Sequence, residues 1–267
     1  MRISPRHPRY RSLVVRAALA EAHRAGIVVP EGLIAHGRGE AFDYLLGERT
    51  TPSALRAERA AAQWLLAARR PVVSVNGNVA ALAAPEIARL VRAIPHLGVE
   101  VNLFHRTGPR AARIGRLLRA AGVPTVLGVR PTARIPRLPS DRAKVDRRGI
   151  YLADVCLVPL EDGDRTEALR ALGKRVISID LNPLARTSQC ADLPIVDELT
   201  RALGNIAAHA ERVRRTRRTL SPSPFDARAA LAEALREIDR RLKRISRTSP
   251  RHFGSVPRGR VRDGPAH

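Results

Sequence analysis

VVSVNGNVAALAAPEIARLVRAI, residues 72–94, decides the fold. Its first four residues are mostly β-branched, which suits a short buried strand, whereas the apolar residues after the loop fall at helical spacing. The central NGN, residues 76–78, is ordinarily a hairpin signal. A hairpin needs a second strand, and the helical period that follows disfavours one. The unit is therefore strand, polar turn, helix, with Asn76 and Asn78 at the strand end and helix N-cap, as caps or as amides that recognise a hydroxyl or phosphate.

The same unit recurs along the chain. VEVNLF (99–104) leads through HRTGPR (105–110) to the helix AARIGRLLRAAG (111–122), and PTVLGV (124–129) reads as another strand. DVCLVPL (154–160) leads through EDGDR to TEALRALGK (166–174). VISI (176–179) leads to DLNPLART (180–187), and LPIV (193–196) to a helix from Asp197 to about Arg214. Such alternation predicts an α/β protein with a doubly wound, mostly parallel sheet and flanking helices.

Upstream, residues 8–25 read as a helix ended by Gly26, and residues 53–68 as an Ala-rich helix capped by Ser53. Between them, LIA (33–35), HGRGE (36–40) and AFDYLLGE (41–48) read as strand, loop and helix. Residues 130–148 carry three prolines and little periodicity, which predicts a long surface loop or lid. Leu231, Leu235, Ile238, Leu242 and Ile245 give a C-terminal amphipathic helix over 225–248 that packs on the body or on a dimer partner. The expected organisation is a catalytic body over 1–214, that helix, and a basic disordered tail over 249–267.

A formal charge of +23 invites a nucleic-acid partner. However, residues 214–267 alone hold 15 Lys or Arg against 5 Asp or Glu, and no aromatic-interleaved RNA motif accompanies them. Nucleic acid is therefore not expected as the main partner. The two cysteines, Cys156 and Cys190, form no CxxC pair, which disfavours a zinc site or disulfide framework. The start of the chain lacks a signal-peptide pattern and no apolar run reaches about 18 residues, so a cytoplasmic, membrane-free protein is expected.

In open α/β sheets ligands sit beyond the carboxyl ends of the strands, where these polar loops fall. HGRGE offers Gly37 and Gly39 around Arg38, either to let an anion approach free backbone N–H groups or simply to make a tight loop. It lacks the third glycine of a dinucleotide fingerprint, which argues against an NAD(P) oxidoreductase. EDGDRT places Glu161, Asp162, Asp164 and Arg165 at a helix start. Dipole capping accounts for one or two acids, and a Mg²⁺ site or proton transfer would use the rest. In DLNPLART, Asp180 closes a strand where ribose acceptors are found, with Arg186 and Thr187 in reach of phosphates, or it caps a Pro-containing turn.

HPRYRSL, GLIAHGRGEAFDYLLGE, VSVNGNVAAL, NLFHRT, VPLEDGDRTEALRALGK and VISIDLNPLARTS, in this order, resemble the archaeal phosphopantothenate synthetase family. The resemblance runs from about residue 7 to 214. It implies a homodimeric, Rossmann-like ligase that joins phosphopantoate to β-alanine, splitting ATP to AMP and pyrophosphate through an acyl adenylate. By motif position it implies nucleotide contacts by Arg16, Arg38, Asp180, Leu181, Asn182, Arg186 and Thr187, and by Asp197 and Glu198. At Glu198 the family's acid-then-amide pattern is broken.

That chemistry calls for Arg38, Arg186 and Mg²⁺ against the charge on the phosphates. It also calls for a proton acceptor for the β-alanine ammonium, with His36, Glu161, Asp162 and Asp164 as candidates. The expected contacts to phosphopantoate are Arg106, Asn76, Asn78, the Gly37 and Gly39 backbone, and Arg165. The metal ligands stay unassigned.

Overall fold

A computed structural model describes residues 4–7, 9–216 and 224–248. Its centre is a parallel sheet of β1 (Pro71–Val75), β2 (Gly98–Val101), β5 (Val155–Pro159), β6 (Arg175–Ile179) and β7 (Leu193–Ile195), in the order β2-β1-β5-β6-β7. Val73 of β1 pairs with Val99 of β2 on one side and Leu157 of β5 on the other. Every residue of β1 is buried, as expected of a parallel strand covered on both faces. The chain leaves β1 for β2 in one direction and returns to β5 in the other. The sheet's switch point therefore lies between β1 and β5.

One face packs on α3 (Pro52–Ala67), α4 (Gly77–Ala93), α5 (Gly108–Ala120) and α8 (Leu199–Thr216), with Val73, Val75, Leu157 and Ile177 pointing into that layer. The other face sends Val72, Cys156, Val158 and Val176 against Leu169 of α6 (Gly163–Ala171). Period-2 alternation along each strand separates the two cores. α3 is capped by Thr51, whose Oγ1 accepts from Ala54 N at 3.2 Å, and not by Ser53, which lies inside the first turn. Asn76 caps α4, its Oδ1 accepting from Val79 N at 3.0 Å.

Three expectations differ from the structure. Residues 33–48 are not strand, loop and helix: α2 (Pro30–Leu46) is one continuous helix, with HGRGE inside it. Pro30 at its first turn and Gly47 in the left-handed region just past its end are the signals that delimit it. Gly32 is there for close approach, since a Cβ would overlap Asn78 Oδ1. The tertiary contacts of α2 outweigh the roughly 1 kcal/mol that each internal glycine costs.

Residues 124–129 form no strand. They make a single bridge, Glu100 to Leu127, with Val101 N donating to Leu127 O at 3.0 Å and Leu127 N to Val99 O at 2.8 Å. Gly128 ends the extension at φ +73°, and a Cβ there would overlap Val101 O and Glu100 Cγ. Gly128→Ala is expected to cost about 2–4 kcal/mol, strain and overlap combined. Urea unfolding measures it, and a cost under about 1 kcal/mol would mean the loop moves aside freely.

Residues 130–148 are packed rather than a lid. β3 (Ala133–Arg134) pairs antiparallel with β4 (Lys144–Val145), and Ile135, Leu138, Ala143, Val145 and Ile150 are buried on the α6 face of the sheet. Glu100, fully buried in β2, pins this segment: its carboxylate accepts from Asp146 N at 2.8 Å and Ile150 N at 2.6 Å. Burial pushes its carboxyl up to about 7, with those backbone donors opposing the shift. Gly149 has no room for a side chain because a Cβ would overlap Glu100 Oε2.

The remaining helices are α1 (Tyr10–Arg24), α7 (Arg186–Cys190) and α9 (Ala227–Thr248). α9 packs through Leu231, Ala234 and Ile238 against Leu46, Leu181 and Val196, while Leu235 and Leu242 of the expected stripe stay exposed. The expected tail over 249–267 lies outside the described residues. Among the described residues no helix is long and apolar enough to cross a membrane.

Candidate active site

α2 lies across the carboxyl edge of the sheet. At its start Asn78 Nδ2 donates to Gly32 O at 2.8 Å, above the end of β1. At its end Leu46 packs on Val196 beyond β7. Between these anchors Arg38 lies near enough for its charge to act on Asp180, and His36 near enough to feel Glu198. Side chains from α1 complete the cover: Glu40 of α2 accepts from Arg16 Nη2 at 2.8 Å and Ser12 Oγ at 2.5 Å, and within α2 from Tyr44 Oη at 2.9 Å.

His36 is half-buried. Burial lowers its pKa below the usual histidine range, against the pull of Glu40 and Glu198, so the ring is neutral at pH 7. Its Nε2 is buried and takes no hydrogen-bond partner within the protein. Asp180 is mostly buried at the end of β6, and burial raises its pKa while Arg38 opposes the rise. Asp180 Oδ1 accepts from Asn182 N at 2.8 Å, and Asn182 Oδ1 from Leu184 N at 2.8 Å, which winds residues 180–184 into consecutive side-chain-capped turns.

The helix through residues 36–40 removes the expected anion loop. Inside α2 the N–H groups of Gly37 and Gly39 belong to the helix and are not free for an anion, and neither glycine has an atom near its missing Cβ. The side chains of His36 and Arg38 remain at the edge, carried there by the helix.

EDGDR separates its acids instead of clustering them. Leu160 adopts a left-handed φ of +51° at the end of β5. Beyond it Glu161 is buried, ion-paired with Arg165 and, at 2.7 Å, with Arg142 Nε. Asp162 is half exposed, its Oδ2 2.9 Å from the same Arg142 Nε. Asp164 faces solvent and pairs with Arg186 at 2.5 Å. Among the described residues no three His, Cys, Asp or Glu side chains are grouped to hold a metal ion. Two arginines neutralise Glu161, which leaves His36 as the least engaged of the four candidate proton acceptors.

Arg165 and Arg106 both make contacts within the protein, and Arg106 keeps a buried Nη1 without a partner. Arg165 is 1% exposed, donating to Ser74 Oγ at 3.0 Å beneath the strand ends, with Nε and Nη2 unpartnered. Its role is to hold Glu161. Arg106 turns its Nη2 to the carbonyls of Gly128 and Val129, at 2.5 and 2.9 Å, so it anchors the bend after residue 127. Asn76 does lie at the edge, donating to Leu160 O at 2.9 Å across the switch point.

Beyond β6, Thr187 is buried and its Oγ1 donates to Glu161 O at 2.5 Å, tying the two loops together. Arg186 is exposed and held by Asp164 and Glu167. Leu181 packs in the α9 seam. Asp197, 1% exposed, accepts from Thr50 Oγ1 at 2.6 Å and from Arg201 Nη2 at 2.7 Å. Glu198 caps α8 through Thr200 N and Arg201 N. Sequence reasoning missed the groups behind this end of the edge. Arg201 also donates twice to Asp43 of α2, at 2.6 and 3.0 Å, and Glu58 is fully buried beside Asp197, pushed up to about 9 by burial and that neighbour. Arg142 was missed too, because residues 130–148 read as a lid.

Switch point, strand-end loops and overlying charged helix together define a doubly wound, Rossmann-like α/β protein built to take ligands at the carboxyl edge of its sheet. A family model described as phosphopantothenate/pantothenate synthetase matches residues 53–241. A Methanosarcina mazei protein, 4-phosphopantoate–β-alanine ligase, is 51% identical over 243 residues, covering 90% of this chain and 95% of that protein. Ligases of the same name from Methanospirillum hungatei and Thermococcus onnurineus are 59% and 54% identical over 75% and 76% of this chain, covering 82% and 77% of their own lengths. The chain belongs to the phosphopantothenate/pantothenate synthetase family.

Proposed function

We propose that this protein condenses 4-phosphopantoate with β-alanine, consuming ATP, to form 4′-phosphopantothenate on the route to coenzyme A. The proposal is supported by the single helix α2, which brings Arg38 within electrostatic reach of Asp180 and carries His36, whose buried Nε2 takes no partner within the protein. The names of its relatives supply the substrates.

A carboxylate does not acylate an amine unaided, because oxide is a poor leaving group. In the reaction proposed, the phosphopantoate carboxylate attacks the α-phosphorus of ATP and displaces pyrophosphate. The β-alanine amine then attacks the acyl carbon, and AMP leaves with the bonding pair. Arg38 balances charge on the α-phosphate, and Asp180 with Asn182 receives the ribose end of the nucleotide. Arg16 and Arg186 lie at the rim, where they can close on the phosphates only by exchanging their carboxylate partners. His36 accepts the ammonium proton through Nε2.

Mg²⁺ would come with the nucleotide and offset phosphate charge. It usually takes one or two carboxylates, the remaining ligands being phosphate oxygens and water. Asp162 and Asp164 are the accessible carboxylates of the loop that suit this.

Asp180→Asn is expected to weaken ATP binding about tenfold or more, through the loss of a charged acceptor, with little change in stability. A calorimetric titration of ATP into wild type and variant checks it. Unchanged affinity would move the nucleotide away from β6.

A further inference from the structure

Behind the β7 end of the edge, three acids converge on one guanidinium. Asp43 of α2, Asp197 at the end of β7 and Glu58 of α3 lie around Arg201 of α8. Arg201 donates through Nη1 and Nη2 to Asp43, at 3.0 and 2.6 Å, and through Nε and Nη2 to Asp197 Oδ1, at 3.0 and 2.7 Å. Among the described residues no cation pairs with Glu58, which is fully buried. Its Oε2 accepts from Asn205 Nδ2 at 2.9 Å, while Oε1 is buried and takes no donor within the protein.

Glu58 and Asp197 lie within hydrogen-bond reach of each other. Two buried carboxyl groups this close do not both ionise, because neither water nor a second cation offsets their repulsion. The donors decide which one keeps a proton. Asp197 accepts from the guanidinium, from Thr50 Oγ1 at 2.6 Å and from Glu198 N at 2.8 Å, all of which favour its ionised form. Glu58 has one side-chain amide.

We infer that Glu58 is a neutral carboxylic acid that donates its proton to Asp197, and that through Asp197 and Arg201 it is a positioning residue for α2, the helix that carries His36 and Arg38. Only the catalytic part of this rests on the ligase reading. Burial and Asp197 push the Glu58 carboxyl up to about 9, with Asn205 and Arg201 opposing. The other charged groups on the surrounding elements are engaged elsewhere. Glu198 caps α8, His209 of α8 feels Arg59 and Arg212, and Glu233 and Glu237 of α9 are held by Arg56 and Arg49. Because the folded state holds the proton more tightly than the unfolded chain, the stability Glu58 contributes is complete below about 4.5 and is lost as the pH rises through about 9.

The test compares full-length wild type with Glu58→Gln, which keeps a donor but cannot ionise, and with Glu58→Leu, which has none. At about pH 7.5 the infrared spectrum of wild type should contain the carbonyl stretch of a buried protonated carboxylic acid that Glu58→Gln lacks. Urea unfolding between about pH 6 and about pH 9 should show wild type losing stability more steeply than Glu58→Gln. Glu100 titrates in the same range in both proteins, so the difference between them belongs to Glu58. Glu58→Leu should slow amide formation by about tenfold, and Glu58→Gln should restore it to within about threefold of wild type.

Superimposable infrared spectra, or equal pH slopes, would overturn the neutral acid. A folded Glu58→Leu that turns over as wild type does, or a Glu58→Gln as slow as Glu58→Leu, would overturn the positioning role. Circular dichroism establishes folding, and Glu58→Met replaces the Leu variant if that one does not fold. If wild type forms no amide, the ligase reading fails instead, and the infrared band and the slope still decide Glu58: a band lost in Glu58→Gln supports the shared proton, and an unchanged spectrum overturns it.

Discussion

Arg201→Met should destabilise the protein by about 3–5 kcal/mol, the cost of leaving a buried carboxylate without its cation. Arg201 joins three elements. It pairs with Asp197 at the end of β7, from its own place in α8, and grips Asp43 of α2 with two hydrogen bonds. Asp197 is 1% exposed and already lies beside buried Glu58. Losing the guanidinium would leave two acids together in the core. Asp43→Asn keeps the Arg201–Asp197 pair and should cost only about 1 kcal/mol, the scale of a partly exposed bond. Urea unfolding of both variants measures the difference. Equal, small losses would show that Arg201 is not the clamp that seats α2 on the sheet.

His36→Asn should lower the rate of amide formation by about 10²–10⁴-fold, the usual contribution of a general base. Exchange of labelled pyrophosphate into ATP, which reports adenylation alone, should stay within a few-fold of wild type. The pH dependence follows from burial. Because the folded His36 pKa lies below the usual value, the ring is neutral through pH 7, and amide formation should fall only as the pH drops below the ordinary histidine range. The sign is the same for stability: the unfolded chain takes up the proton first as pH falls, so the contribution of this group turns unfavourable below about 6.5. If exchange and amide formation fell together in His36→Asn, the residue would serve the nucleotide and not the amine.

The strands and their order of appearance were legible because a parallel sheet writes itself as short β-branched runs followed by helical periods. β1, β5, β6 and β7 stand where those runs fall. PTVLGV misled because composition shows β-propensity but not the approach of the Val101 carbonyl, which requires Gly128 at positive φ. HGRGE misled for the opposite reason. Three internal glycines lower helix propensity, while the contacts that hold α2, at Asn78, Arg201 and Val196, come from residues about 46 to 158 positions away.

The site was partly legible in the same sense. Loops at strand ends are ordered by the sheet, so Asn76, Glu161, Asp162 and Asp180 could be placed from the sequence on one edge. Which acids are free could not, because partners such as Arg142 and Arg165 are chosen by packing. Glu58 stood within ALRAERAAA as one more helix acid. Only its burial beside Asp197 sets it apart.

Incubating purified protein with 4-phosphopantoate, β-alanine, ATP and Mg²⁺, and following the nucleotide products, tests the proposed ligase reaction. AMP and pyrophosphate, formed in step with 4′-phosphopantothenate and only when both acids are present, are predicted. ADP and phosphate in their place would contradict the adenylate route, and no β-alanine-dependent product would contradict the ligase itself.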